Sequence, residues 1–233
     1  EEISLLSLSS TDYSNIEYLV KELSSRLSNE KVNISLPSLR MDAFSVEVAR
    51  SLQEVRRSGL TFAPEAGSER LRRVINKNLT DEDIFQTIEK TFSWGWKEVK
   101  LYFMIGLPGE REEDIRGMAD LVKEILRRGK KKGVHLGISA FIPKSHTPFQ
   151  WVKQEEIESL NEKMNILHSL LHPLGRRVRY NWSDFEVNLI EGVLSRGDRR
   201  VSSVIERVYR KGGMMDNWRE FFSLKRWQEG FAE

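Results

Sequence analysis

Strand-length apolar runs, each followed by a helix with a 3.6-residue apolar stripe, recur along the first two thirds of this chain, and no other feature restricts its fold as much. Ile3-Ser4-Leu5-Leu6-Ser7-Leu8 precedes Ile16, Leu19, Val20, Leu23 and Leu27, a stripe opened by the capping box Ser14-x-x-Glu17. Val32-Asn33-Ile34-Ser35-Leu36 precedes a predicted helix over 44–55. Gly59-Leu60-Thr61-Phe62-Ala63 passes through Pro64-Glu65-Ala66-Gly67-Ser68 into a basic helix ending near Asn76. Thr80, with Asp83 three residues on, starts another helix that reaches Ser93. Glu98-Val99-Lys100-Leu101-Tyr102-Phe103-Met104-Ile105 leads through Gly106-Leu107-Pro108-Gly109-Glu110 to a helix carrying Ile115, Met118, Leu121, Val122, Ile125 and Leu126. A fifth run over 134–142 leads through Pro143 and Pro148 to a helix over 154–172.

This alternation calls for an α/β fold with a parallel sheet and right-handed crossovers; a doubly wound sheet and a barrel both satisfy it. From Gly175 the pattern changes to a short strand-like Arg177-Val178-Arg179-Tyr180 and helices around 185–194 and 198–210, so residues 1–174 are expected as the main domain and 175–233 as a mostly helical extension. Arg196-Gly197-Asp198 reads as a helix C-cap glycine followed by an N-cap aspartate.

Hydrophobic residues at 39% and charged residues at 31% fit a soluble globular protein and exclude a disordered one. The net charge of +2 exerts no global pull toward nucleic acid or membrane. No stretch approaches the roughly 18 apolar residues of a membrane span, and the first residues lack a secretory pattern, so a cytoplasmic protein is expected. The chain has no cysteine, which excludes disulfides, zinc ribbons, thiolate nucleophiles and cysteine-held clusters from what these residues do alone. His168 and His172 stand one turn apart but sit among Leu167, Leu170 and Leu171 without the glutamate of a zinc protease, so no metal site is expected there.

In parallel α/β proteins ligands lie at the carboxyl ends of the strands. The segments there are Ser9-Ser10-Thr11-Asp12, Ser38-Leu39-Arg40-Met41-Asp42, Glu65-Ala66-Gly67-Ser68-Glu69, the Gly106–Gly109 turn and Pro143-Lys144-Ser145-His146-Thr147. The Gly106 turn reads either as a close approach of backbone to ligand or as an ordinary tight turn. Glu65 with Ser68 suits a ribose diol or an amine, and Ser68 equally suits a helix cap.

The strings Phe62-Ala63-Pro64-Glu65-Ala66-Gly67-Ser68-Glu69-Arg70-Leu71, Tyr102-Phe103-Met104-Ile105-Gly106-Leu107-Pro108-Gly109-Glu110 and Phe141-Ile142-Pro143-Lys144-Ser145-His146-Thr147-Pro148-Phe149-Gln150-Trp151 resemble, in order and spacing, the radical S-adenosylmethionine (SAM) superfamily. They look most like its branch of iron–sulfur oxidoreductases often fused to a cobalamin-binding domain. The resemblance implies a partial TIM-type (β/α)6 barrel carrying strands two to six, with the first strand missing. It implies SAM contacts from Glu65 and Ser68, an adenine motif at Ile105, Gly106 and Pro108, backbone contacts at Ala140, Phe141 and Ile142, and Arg40 as a candidate for the methionine carboxylate. It also implies a [4Fe–4S] cluster on three cysteines after the first strand, which this chain lacks, and cobalamin through a separate domain. Leu8-Ser9-Ser10-Thr11-Asp12-Tyr13 stands where the family has Gly-Gly-Glu. The chain is therefore expected to be a catalytically silent part of a radical SAM enzyme, joined to an upstream part of the same polypeptide.

Two rival readings stand beside this one. One is a phosphate-binding barrel enzyme with Gly106–Gly109 as its anion loop. The other is an RNA-binding module that uses Arg199, Arg200, Arg207, Arg210 and Lys211 with Trp182, Trp218 and Trp227, although helical spacing explains those residues almost as well.

Overall fold

The computed structural model describes residues 2–5, 13–27, 30, 32–35 and 60–232. The expected strand-end segments 9–12 and 38–42, Arg40 among them, and the predicted helix over 44–55 lie outside the described residues. The chain divides into two compact units. The first comprises Glu1–Phe103, Gly109–Ile138 and Ile166–Asn181; the second comprises Met104–Pro108, Ser139–Asn165 and Trp182–Glu233.

In the first unit, β1 (Glu2–Ser4) pairs in parallel with β2 (Asn33–Ser35), and α1 (Ile16–Leu27) lies between them in sequence. Ile16 and Val20 bury the apolar stripe of α1 that the sequence predicts. A four-stranded sheet has the order β3-β4-β5-β6, from β3 (Leu60–Glu65), β4 (Glu98–Ile105), β5 (Gly133–Ala140) and β6 (Val178–Trp182). β3 and β4 are parallel, with Leu60 opposite Val99 and Phe62 opposite Leu101. Period-2 burial follows from the pleat: Val99, Leu101, Phe103 and Ile105 are buried, whereas Lys100, Tyr102 and Met104 are not. The sheet thus has one apolar face and one polar face. Arg177-Val178-Arg179-Tyr180, expected at the start of an extension, supplies most of β6 and lies beside β5 in this sheet.

Helices α2 (Glu69–Val74), α3 (Asp81–Ser93) and α4 (Glu112–Arg128) belong to the same unit. Thr80 and Asp83 form the expected capping box: the threonine hydroxyl accepts from the Asp83 N–H at 3.1 Å and the Asp83 carboxylate accepts from the Thr80 N–H at 2.9 Å. Ile84 and Ile88 of α3, and Ile115, Met118, Val122 and Ile125 of α4, bury their apolar stripes. On α2, Arg72 has no exposed surface. Its Nε donates to the Leu79 carbonyl at 2.7 Å, its Nη1 donates to the Ala66 carbonyl at 3.0 Å, and its Nη2 pairs with Asp81.

The second unit contains α6 (Phe185–Arg196), α7 (Val201–Arg210) and α8 (Leu224–Ala232), while α5 (Ile157–Leu171) contributes its first residues to this unit and its last to the other. Ile190, Val208 and Trp227 form a small core flanked by Val204, Phe222 and Leu224. Gly197 caps α6 as expected. Asp198, however, is not the N-cap of α7; it accepts from the Arg200 N–H at 2.9 Å, and the helix begins after Arg200. The N-cap position falls to Arg200, so the aspartate lies two positions too early to reach the orphan N–H groups of the first helical turn.

Removing Arg72 leaves two buried carbonyls and Asp81 without their donor. R72M is expected to destabilise the protein by about 3 kcal/mol, whereas R116M, which breaks only an exposed i,i+4 pair with Glu112, should cost about 0.5 kcal/mol or less. Thermal unfolding of the two variants side by side measures this contrast, and equal shifts would show that the buried guanidinium holds nothing in place.

Candidate functional site

The end of β3 carries an unusual backbone conformation. Glu65, the last residue of β3, has φ 71, in the left-handed region that non-glycine residues rarely occupy. The pairing with β4 slips between Phe62 and Glu65, so the strand ends on an irregularity that re-aims this side chain. Lys77 holds the arrangement from the connection that follows α2: its Nζ donates to the Ala63 carbonyl and lies 3.3 Å from Glu65 Oε1. The two side chains are 27% and 31% exposed, so the carboxylate is charge-compensated yet reachable. Glu65 Oε2 has no hydrogen bond among the described residues, which leaves acceptor capacity for a diol or an amine.

Ser68 is the N-cap of α2, where its hydroxyl accepts from the Leu71 N–H at 3.1 Å and donates to Asp114. Both of the functions weighed for this serine use the same oxygen, and the cap already occupies part of it. Asp114, 3% exposed on α4, gathers Ser68, the Arg70 guanidinium and the Arg111 backbone N–H, the last at 2.8 Å. Burial alone would raise its pKa; the hydrogen bonds from Ser68, Arg70 and Arg111, with the Arg70 charge, outweigh that effect and hold it below the ordinary value of 3.8. Arg70 also donates to the Gly109 carbonyl at 2.9 Å, which ties the turn before α4 to α2.

In the second unit, Ile105, Gly106, Leu107 and Pro108 close β4, and Ala140, Phe141 and Ile142 close and follow β5. The Phe141 N–H donates to the Ile105 carbonyl at 2.8 Å, and the Ala140 N–H donates to the Ser183 hydroxyl at 3.3 Å. A ligand meeting this backbone therefore finds these two donors already engaged. Gly106 has φ 79, and a Cβ there would sit 3.0 Å from Glu155 Cβ and 3.1 Å from a Leu160 methyl. The bare backbone is thus required by an intramolecular approach as well as by the turn.

The first turn of α4 carries Glu112, Glu113 and Asp114, and Asp114 already accepts the Arg111 N–H. A helix start furnished with its own carboxylates is a poor phosphate cradle, which removes the support for an anion loop at Gly106–Gly109. The basic tail fares similarly. Trp227 is core and its Nε1 donates to Asp216, Arg207 donates to the Gly230 carbonyl, and Arg200, Arg210 and Lys211 each face a carboxylate. Trp182 and Trp218 are exposed.

Lys77 and Asp114 were not legible as site residues: they reach the Glu65 turn from the connection that follows α2 and the start of α4, and no local spacing marks them. Among the described residues no group of three histidine, aspartate or glutamate side chains is arranged to hold a metal ion, and the sequence has no cysteine. The residues present therefore do not fit a thiolate-held cluster. No helix among the described residues is long and apolar enough to cross a membrane.

The radical SAM superfamily model matches residues 1–122, just over half of the chain. This chain belongs to the radical SAM superfamily. Uncharacterized protein MJ0966 of Methanocaldococcus jannaschii is 35% identical over 204 residues, covering 88% of this chain and 43% of that protein. Uncharacterized protein MJ1620 of the same organism is 20% identical over 114 residues, covering 49% of this chain and 22% of that protein. This radical SAM chain thus spans less than half the length of the curated relatives it matches. Among solved structures, Proteus mirabilis N-acetylneuraminate lyase aligns over 99% of this chain and 78% of its own at 11% identity, with a TM-score of 0.33, too low to bear on the fold.

The Asp114 node predicts a pH signature. A carboxyl whose folded-state pKa is lowered stabilises the protein above its unfolded value and loses that contribution as pH falls through the folded value. D114N is therefore expected to cost about 2 kcal/mol at neutral pH, and the cost should shrink progressively below about pH 4. Denaturant unfolding of both proteins across this range tests it; a cost that stays constant would mean that the charge of Asp114 is irrelevant.

Proposed function

We propose that this chain forms the SAM-binding part of a radical SAM iron–sulfur enzyme, and that the whole protein cleaves SAM reductively to a 5′-deoxyadenosyl radical. The observation that carries the proposal is Glu65: a carboxylate at a strand end, in left-handed backbone, oriented by Lys77 and retaining a free acceptor oxygen. Strained backbone maintained by surrounding bonds is a hallmark of residues kept for binding. In this reading Glu65 accepts the ribose hydroxyls, and Ser68 adds a contact with the acceptor capacity its cap leaves over. Ile105, Gly106, Pro108, Ala140, Phe141 and Ile142 contact adenine, and Arg40 meets the methionine carboxylate.

When present, the [4Fe–4S] cluster supplies the electron for cleavage. Since these residues offer no thiolate, the proposal assigns the cluster to cysteines outside this chain and expects the chain by itself to be inactive. The relatives, of which it covers less than half, leave room for such a segment. The resemblance extends the proposal to a cobalamin-binding domain elsewhere in the polypeptide.

Equilibrium dialysis with 5′-deoxyadenosine and with SAM tests this reading. Both should bind weakly and comparably, because the contacts for the nucleoside remain while the iron that anchors methionine is absent. E65Q should weaken both by about tenfold, the effect of replacing a charge-assisted hydrogen bond by a neutral one. Sub-micromolar SAM affinity, or nucleoside binding indifferent to E65Q, would overturn the assignment.

A further inference from the structure

The polar face of the first unit's sheet carries a set of side chains that the SAM reading does not use. Period-2 alternation puts Glu98, Lys100 and Tyr102 of β4, Gly133, His135 and Gly137 of β5, and Arg179 and Asn181 of β6 on this face. Contacts across the strands agree. Arg179 Nη2 lies 2.6 and 2.8 Å from the Glu98 carboxylate oxygens, and His135 Nε2 lies 2.8 Å from Asn181 Oδ1.

Two glycines on β5 make these contacts possible. A Cβ on Gly133 would lie 3.5 Å from Glu98 Oε2, on the path by which Glu98 crosses β5 to reach Arg179. A Cβ on Gly137 would lie 2.5 Å from Tyr102 Cε1, so the tyrosine ring rests across β5 at this point. The Gly133 N–H also donates to the Lys97 carbonyl at 2.9 Å. With Gly137 under Tyr102, this bond sets β5 running parallel to β4 with His135 directly opposite Lys100, at the interstrand spacing of about 5 Å.

Among the described residues the charges on this face do not balance. Glu98 is compensated by Arg179, and Glu65 by Lys77. Lys100 Nζ lies 4.9 Å from the Tyr102 ring centroid and has no carboxylate within ion-pair distance among the described residues. Because Asn181 Oδ1 only accepts, His135 Nε2 is the donor to it, which leaves Nδ1, the acceptor of a neutral ring, for a partner that donates. The register therefore puts a half-buried lysine and a histidine side by side on one face of neighbouring strands. The tyrosine ring steadies the ammonium but does not neutralise it.

We propose that this face binds a phosphate group carried by the molecule on which the enzyme acts, with Lys100 and His135 as its ligands. A monohydrogen phosphate bridging the two has both of the parts required: its anionic oxygens accept from the Lys100 ammonium, and its O–H donates to the imidazole nitrogen that Asn181 leaves over. Lys100 is the third residue of β4, well before the strand's last residues, to which the family assigns adenine, so the site is separate from that motif. Attributing the oxyanion to the molecule attacked by the radical rests on the radical SAM reading; oxyanion binding itself does not.

The test follows the His135 imidazole resonances by NMR while the full chain is titrated with inorganic phosphate, with succinate and with methionine. A saturable shift is expected with phosphate, which brings both an anionic oxygen and an O–H, and not with succinate, whose carboxylates only accept. K100M should weaken it by about tenfold or more, and K100R should restore it to within about threefold, since the charge is retained. E65Q should leave it unchanged while weakening 5′-deoxyadenosine. If E65Q spares the nucleoside but K100M still abolishes the shift, the SAM reading fails and the oxyanion site stands. No saturable shift with phosphate, an equally strong shift with succinate, an undiminished shift in K100M, or a response to methionine alone overturns the proposal.

Discussion

A guanidinium without solvent exposure underlies the turn on which the rest of the candidate site depends. Burying a charge is tolerable only when its donors find acceptors, and Arg72 finds the Ala66 carbonyl, the Leu79 carbonyl and Asp81, one in the turn after β3 and two at the start of α3. The same device recurs on either side. Lys77 spans the Ala63 carbonyl and the Glu65 carboxylate, and Asp114 gathers Ser68, Arg70 and the Arg111 N–H. Three charged side chains thus fix one short segment from three directions. That over-determination is the physical reason a glutamate persists at φ 71, a conformation it would not hold alone.

The fold was legible where hydrophobic period carries the information. β4 and the helix after it follow from the alternation of Val99, Leu101, Phe103 and Ile105 and from the stripe of Ile115, Met118, Val122 and Ile125, because burial repeats with the geometry of the backbone itself. The Thr80 box was legible for the same reason, since its two bonds join residues three apart. β6 was recognised as a strand but not as a member of the sheet, because its neighbour is chosen by chain path rather than by local pattern.

At the candidate site, residue types were legible and geometry was not. Glu65 and Ser68 stand at a strand end in the sequence, yet nothing there announces a left-handed glutamate, a lysine returning from the connection that follows α2, or an aspartate supplied by α4. Gly106 offers the opposite lesson. Two readings were open, ligand approach and ordinary turn, and the structure adds a third cause: Glu155 and Leu160 occupy the space a side chain would need. A glycine at a strand end reports close packing, and the identity of what packs there has to come from elsewhere.

The lack of cysteine separates two contributions that a radical SAM enzyme combines. Orienting a nucleoside needs acceptors and backbone on rigid strand ends, the part proposed for this chain; delivering an electron needs thiolates, which it lacks. When two ends of one ligand are held by different groups, removing one set lowers affinity toward that of the other alone, because each was raised by the effective concentration the other created. The bonds that hold Glu65 come from Lys77, Ala63 and the slipped pairing with β4, none of which involves an iron site. Its orientation is therefore built into the fold before any ligand arrives, and that pre-organisation is what the proposed nucleoside contact requires of a carboxylate with a single cationic partner.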